Sequence, residues 1–133
     1  AVAVPVIANG EVWHAAGWRA IRAATGCEDV MLGRGAVADP FLAERIRGAR
    51  EEQASESDWR ELQPCLDDFW AQVQEKVAPR HAPGRLKQWL GLLRRNYAGA
   101  ETLWRRVRAL NDAGAIGAAL EVERRAAAPA LAA

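Results

Sequence analysis

Histidine and cysteine are almost missing from this 133-residue sequence, which holds two of each: His14, His81, Cys27 and Cys65. No two of them stand at the spacing of a zinc site, a Cys-x-x-Cys redox pair or a catalytic triad, so the sequence nominates no metal centre, and neither histidine takes a catalytic role. Such sparse thiols suit a reducing cytoplasm, where both cysteines would be packed or idle. Long apolar runs are lacking as well. Nothing approaches a membrane span, and the opening AVAVPVIA has no basic leader of the kind that precedes a secretion signal. The expected location is cytoplasmic, with neither membrane nor metal among the partners. The first residue is not methionine and stands directly in a strand-like run, which reads as a cut through a larger protein.

Charge is present but unevenly spread around a net +1. Residues 44–76 carry nine acids and five bases, whereas residues 80–108 hold Arg80, Arg85, Lys87, Arg94, Arg95, Arg105, Arg106 and Arg108 against Glu101 alone. That second stretch suits a polyanion. The alternative is a solvated charged face, the common fate of surface arginines. Six tryptophans fill a core or serve a partner. Trp89 and Trp104 lie on apolar stripes and read as core; Trp13 and Trp18 flank a helix that would pack on a sheet; Trp59 and Trp70 fit either use.

Val2–Ala8 is short, β-branched and apolar, as in a strand buried on both faces. It stops at Asn9-Gly10. A helical pattern follows to Thr25, with Trp18, Ile21 and Ala24 inward, Arg19 and Arg22 outward, and Gly26 as a left-handed cap. A second apolar run over Asp29–Leu32 ends at Gly33. No alternation of the hairpin kind appears, so the pattern predicts a parallel βαβ unit. Asp39-Pro40 then reads as N-cap and first helical residue, with Phe41, Leu42 and Ile46 inward. The polar stretch after Gly48 reads as a linker and places the domain boundary at 49/50.

Residues 50–133 read as helices. The stripes are Leu62, Leu66, Phe69, Val73 and Val77, with Pro64 marking a start or a kink; then Leu86, Trp89, Leu90, Leu93 and Tyr97; then Ala100, Leu103, Trp104, Val107 and Leu110. Lys87, Gly91, Arg94 and Arg95 fall on the face opposite the second stripe, where Gly91 would admit a backbone. A weaker helix follows Asp112, and RRAAAPALAA is expected to fray.

In (β/α) barrels the functional groups sit at the carboxyl ends of strands, and the last two strands commonly hold a phosphate. Asn9-Gly10 and Gly33-Arg34-Gly35 stand at such ends, where glycine lets the backbone approach an anion and Arg34 adds a cationic fork. Each pair alone is as well read as a turn; together, after consecutive parallel strands, they favour phosphate.

Three segments in order, PVIANGEV, TGCEDVMLGRGAVADPFL and GRLKQWLGLLRRNY, resemble the tRNA-dihydrouridine synthases from Val4 to about Leu120, and KQWL is similar to the subfamily acting on a D-loop uridine of bacterial tRNA. The resemblance implies the last βαβα units of a (β/α)8 barrel over residues 1–49 and a small helical bundle that grips tRNA over 50–133, an α/β plus all-α fold. It implies FMN as cofactor and NADPH as electron donor for the reduction of uridine to 5,6-dihydrouridine. Asn9, Gly10 and Glu11 match the first FMN-binding segment, and Gly33 and Arg34 the segment that holds the FMN phosphate. Arg85, Lys87 and Arg108 would contact RNA, with Arg94 and Arg95 on the same basic face. The family's catalytic cysteine, and its lysine and histidine near the flavin, come from barrel segments preceding those seen here. Cys27 and Cys65 match neither motif, so no catalytic residue is assigned and the fragment alone would be inactive. The missing amino-terminal barrel portion would be a partner, and without it the isolated chain would self-associate, swap elements or hold its βαβ part loosely against the helices. Two rival readings stand beside this one: a non-catalytic RNA-binding helical module with a structural βαβ stub, and another phosphate-binding barrel enzyme whose basic helices serve a protein.

Overall fold

Ile7 to Asn9 (β1) pair in parallel with Asp29 to Met31 (β2), Ile7 opposite Asp29 and Asn9 opposite Met31, in the computed structural model, which describes residues 3–127. Parallel neighbours cannot be joined by a tight turn, and α1 (Ala15–Thr25) makes the crossover between them. His14 starts that helix. Its backbone is extended and its Nδ1 accepts from the Gly17 N–H at 3.0 Å, satisfying an amide left over at the helix start. Gly26 ends α1 at φ 70°, where its N–H donates to the Arg22 carbonyl.

The strand predicted over Val2–Ala8 is three residues long, and it is not buried on both faces. Val4, Val6 and Ile7 are 67%, 50% and 59% exposed, and Ala8 is buried; Val2 lies outside the described residues. A β-branched run is covered on both faces only when strands flank it on each side and layers cover it. Among the described residues β1 has β2 as its one neighbour in a two-stranded sheet. Cover over α1 is equally partial. Trp18 and Ile21 are half-buried and Ala24 is exposed. Arg22 does not point outward as expected, because its guanidinium lies 4.7 Å from the centroid of the Trp18 ring.

After β2 the chain turns through Gly33 into α2 (Arg34–Ala38), a short helix absent from the sequence expectation, and then α3 (Leu42–Ile46). Asp39-Pro40 forms a turn ahead of α3 and not its first residues. Asp39 Oδ1 accepts from the Phe41 N–H at 3.1 Å, and Oδ2 accepts from Arg45 Nε at 2.7 Å, with both side chains buried. Arg45 Nη1 then donates to the carbonyls of Glu51 and Gln53 at 2.6 and 3.1 Å. These bonds, with Arg19 to Glu52 at 2.7 Å, hold the stretch read as a linker to the preceding elements. The chain accordingly divides into two units between Ala54 and Ser55, five residues beyond the expected boundary at 49/50.

The second unit is helical: α4 (Glu56–Lys76), α5 (Ala82–Leu93), α6 (Ala98–Val107) and α7 (Ala113–Ala127). The Ser55 hydroxyl accepts from the Asp58 N–H at 3.2 Å while Asp58 Oδ2 accepts from the Ser55 N–H at 2.9 Å, a reciprocal cap that starts α4 well before Pro64. The helix then runs through the proline, giving up one amide donor, because Trp59, Leu62, Leu66 and Trp70 bury its inner face on both sides of that position. Leu86, Leu90, Leu93, Leu103, Val107 and Ile116 are fully buried, as the stripes predict for the first five. Gly99 has a role that periodicity does not show. A Cβ there would stand 2.0 Å from the Trp59 indole nitrogen, so only glycine lets α6 approach that ring. The same indole N–H donates to buried Glu123 at 3.1 Å. Asp112 caps α7 through the Ala115 N–H at 2.8 Å. Of the tail expected to fray, Arg124 and Arg125 belong to α7, and the residues after Ala127 lie outside the described residues.

Candidate functional site

Because β1 and β2 run the same way, their carboxyl ends meet, and the loops that leave them line one open cleft of about 410 Å³. Asn9, Gly10, Glu11, Gly33 and Arg34, all five residues nominated for a cofactor, lie along it. Arg34 Nη2 donates to Glu11 Oε1, and Glu11 Oε2 accepts the Trp13 indole N–H at 2.8 Å. The Arg34 guanidinium carbon also lies 5.4 Å from the centroid of the Trp13 ring. One carboxylate thus holds an arginine fork against an aromatic face. Trp13, expected to pack on the sheet, is a cleft residue that the sequence reading missed; the signal available was its place two residues after Glu11.

The glycines allow the two loops to meet. Gly33 stands at φ 54°. At Gly35 an added Cβ would fall 1.8 Å from the Val12 carbonyl oxygen, so the backbone of the second loop passes the first too closely for any side chain. At Gly10 the corresponding atom would meet only the flexible end of Ile21, 2.6 Å away. Arg34, which donates to Glu11 through one Nη, lines a cleft that Asn9 also lines with its side-chain amide. That donor set suits an oxyanion such as a phosphate.

The nominated basic residues are spread over the second unit. Arg94 and Arg108 come together at Trp104, their guanidinium carbons 3.9 and 5.8 Å from its ring centroid. Lys87 Nζ donates to Asn111 at 3.1 Å, and Arg85 and Arg95 are exposed. Three details correct the sequence reading. Gly91 admits no backbone from outside, because it faces the Trp104 indole nitrogen, 3.9 Å from where its Cβ would be. Lys87 and Arg94 are half-buried because α5 packs against α6 along that side. Trp104 is half-buried too, lying under arginines instead of in the core. Glu101 joins the group, bonded to Arg94 Nε at 2.8 Å and to Arg105 Nε at 2.6 Å.

Cys27, Cys65, His81 and Glu52 line neither cleft. Cys27 lines a separate hollow with Val4, Pro5, Val6, Glu28 and Asp29, where the strands begin, at the end opposite the Arg34 cleft. Cys65 is exposed on α4. His81 accepts from Arg80 Nε at 2.9 Å. The Arg19 side chain, by hydrogen bond first and charge second, holds the Glu52 carboxyl below the usual glutamate range. Among the described residues no three His, Cys, Asp or Glu side chains gather as a metal would require, and no helix is long and apolar enough to cross a membrane.

With this geometry in place, comparison with known proteins adds lineage. Residues 1–126 match the model of the dihydrouridine synthase (Dus) family. Over 112 residues, 84% of the chain, the sequence is 52% identical to a tRNA-dihydrouridine(16) synthase of Aquipseudomonas alcaligenes. It is 46% identical over 121 residues, 91% of the chain, to the protein of the same name from Ralstonia nicotianae. A third of that name, from Pseudomonas putida, is 46% identical over 123 residues, 92% of the chain. The match covers 36%, 37% and 38% of these proteins, so the chain spans little more than a third of their length.

Proposed function

The chain belongs to the dihydrouridine synthase family, and from that premise we propose that the protein carrying it reduces uridine in tRNA to 5,6-dihydrouridine, with FMN as cofactor and NADPH as electron donor. The name shared by the relatives supports uridine 16 as the position. In this reading the first unit forms the last βαβα units of a (β/α)8 barrel, and the second a helical tRNA-binding domain. Exposed Val4, Val6 and Ile7, and the single pairing of each strand among the described residues, support a sheet that continues into further strands.

The observation that carries the proposal is the parallel pairing that brings Asn9, Gly10 and Glu11 beside Gly33 and Arg34. The residues fit a flavin phosphate. The cradle at Gly33 and Gly35 has no room for a side chain at 35, and Arg34, with one Nη bonded to Glu11, lines the cleft with donors to spare. Arg34 and Asn9 would hold the phosphate, and Glu11 would set the angle of Arg34. When bound, the flavin supplies hydride for the uracil ring. The base must leave its stack to reach it, which the docked tRNA backbone has to permit. Arg85, Lys87, Arg94, Arg95 and Arg108 would hold that backbone by charge, at a strength that falls steeply with salt. No residue of this chain is assigned to proton transfer, so the chain alone would form no dihydrouridine.

The test uses the whole enzyme and its Arg34→Ala variant. Flavin retained after gel filtration, read by visible absorbance, should fall about tenfold or more, the scale of one lost charge-assisted contact. Binding of tRNA at the same salt should not change. An Arg34→Ala enzyme that keeps its full flavin complement would overturn the assignment of the cleft.

A further inference from the structure

Arg94, Glu101, Trp104, Arg105 and Arg108 line a cleft of about 460 Å³ in the second unit. An ordinary view of Glu101 is that it spoils this cleft for RNA, since it is the one acid in a stretch of eight cations and like charge repels a phosphate. The contacts argue otherwise. Glu101 bonds Arg94 and Arg105 through Nε of each, at 2.8 and 2.6 Å. Each bond engages the Nε of its guanidinium, which leaves the Nη pair of each fork available to another anion. Arg94 is fixed a second time against Trp104, its guanidinium carbon 3.9 Å from the ring centroid, while that of Arg108 lies 5.8 Å from it.

We propose that Glu101 is a positioning residue for RNA: it aims the Arg94 and Arg105 forks, with Trp104 as their platform, at one phosphodiester of the tRNA backbone. The proposal rests on the tRNA-docking reading above and names a seat within it. A free arginine loses much rotamer freedom when it grips a phosphate, and holding it beforehand removes that cost. Two cations fixed by one anion, with Arg108 alongside, still leave a net positive cleft. The phosphate meets Nη groups, whereas Glu101 lies behind on the Nε side, so attraction is nearer than repulsion and the more distant charge is the more screened.

The sign of one substitution decides. If Glu101 only adds repulsion, Glu101→Ala tightens tRNA binding; if it aims the arginines, the same change weakens it. On the whole enzyme, with tRNA affinity followed by fluorescence anisotropy across a salt series, we expect Glu101→Ala to weaken binding about fivefold. That is the scale of losing the order of two side chains while keeping their charge. Arg94→Ala should weaken it further and lower the slope of log affinity against log salt by about 0.7 to 0.9, one phosphate contact. Trp104→Leu removes the platform without touching charge, and should weaken binding with an unchanged slope. This second variant answers the question if Glu101→Ala loses its fold, which a thermal melt would reveal. Glu101→Ala or Trp104→Leu binding as well as or better than the parent overturns the positioning role alone. Arg94→Ala, Arg105→Ala and Arg108→Ala all binding like the parent would instead overturn the docking reading on which it stands.

Discussion

Of the large apolar side chains left in solvent, Val4, Val6, Ile7, Met31 and Val37 lie in the first unit and Val122 in the second. The fully buried ones are distributed the other way, Leu42 in the first against Trp59, Leu66, Leu86, Leu90, Leu93, Leu103, Val107 and Ile116 in the second. The difference follows from how each kind of element is satisfied. A helix closes its own backbone hydrogen bonds and needs only one covered stripe, so four helices with matching stripes suffice. A parallel strand needs a partner on each edge and a layer on each face, and two strands supply neither. The first unit is therefore held by particular polar bonds, the second by apolar packing.

That contrast can be broken most forcefully at Arg45. Arg45→Met removes the Nε bond to the buried Asp39 carboxylate and the donor to the carbonyls of Glu51 and Gln53, a loss of about 3 to 5 kcal/mol by analogy with other broken buried pairs. Hydrogen exchange should show it in residues 3–54, with the amides of α5 and α6 protected as before. Equal loss of protection in α5 would mean that the units are not separately held.

A matched pair of substitutions sharpens the comparison. Leu103→Ala opens a hole in a fully buried site and should cost about 2 to 5 kcal/mol in denaturant unfolding. Ile7→Ala, at a site 59% exposed, should cost well under about 1 kcal/mol in this chain. Comparable costs would show that β1 is covered after all, for example by a second copy of the chain.

The smallest effect is a pH dependence at Arg19 and Glu52. With the folded carboxyl held below its unfolded value, the pair contributes stability above the ordinary glutamate range, and that contribution is lost as pH falls through the folded value. Both side chains are more than half exposed, so salt screens the pair. Glu52→Gln should flatten the acid limb of the melting temperature slightly, and more at low salt than at high.

Much of this was legible in residue order. The steps of three and four name Leu62, Leu66 and Val73, and Leu86, Leu90 and Leu93, as buried positions, because helix period and burial are one fact seen twice, while Phe69 and Trp89 on the same stripes stay half-buried. Two glycine-ended apolar runs with a helix between them name a parallel pair and thereby bring Asn9 to Arg34. What was not legible depends on contacts across the chain. The length of β1 is set by neighbours, not by its own residues. Asp39 looks like a helix cap until Arg45 is seen to bond it, and Gly99 looks like a weak point in a helix until Trp59 is laid over it. Glu101 is one acid among many cations in the sequence; its partners show only when α5 and α6 are packed together.

Trp13 carries a practical corollary. Its indole is tied to Glu11 and lies against Arg34 at the rim of the strand-end cleft, so its emission is an internal gauge of what occupies that cleft. A yellow chromophore seated there would quench it by energy transfer.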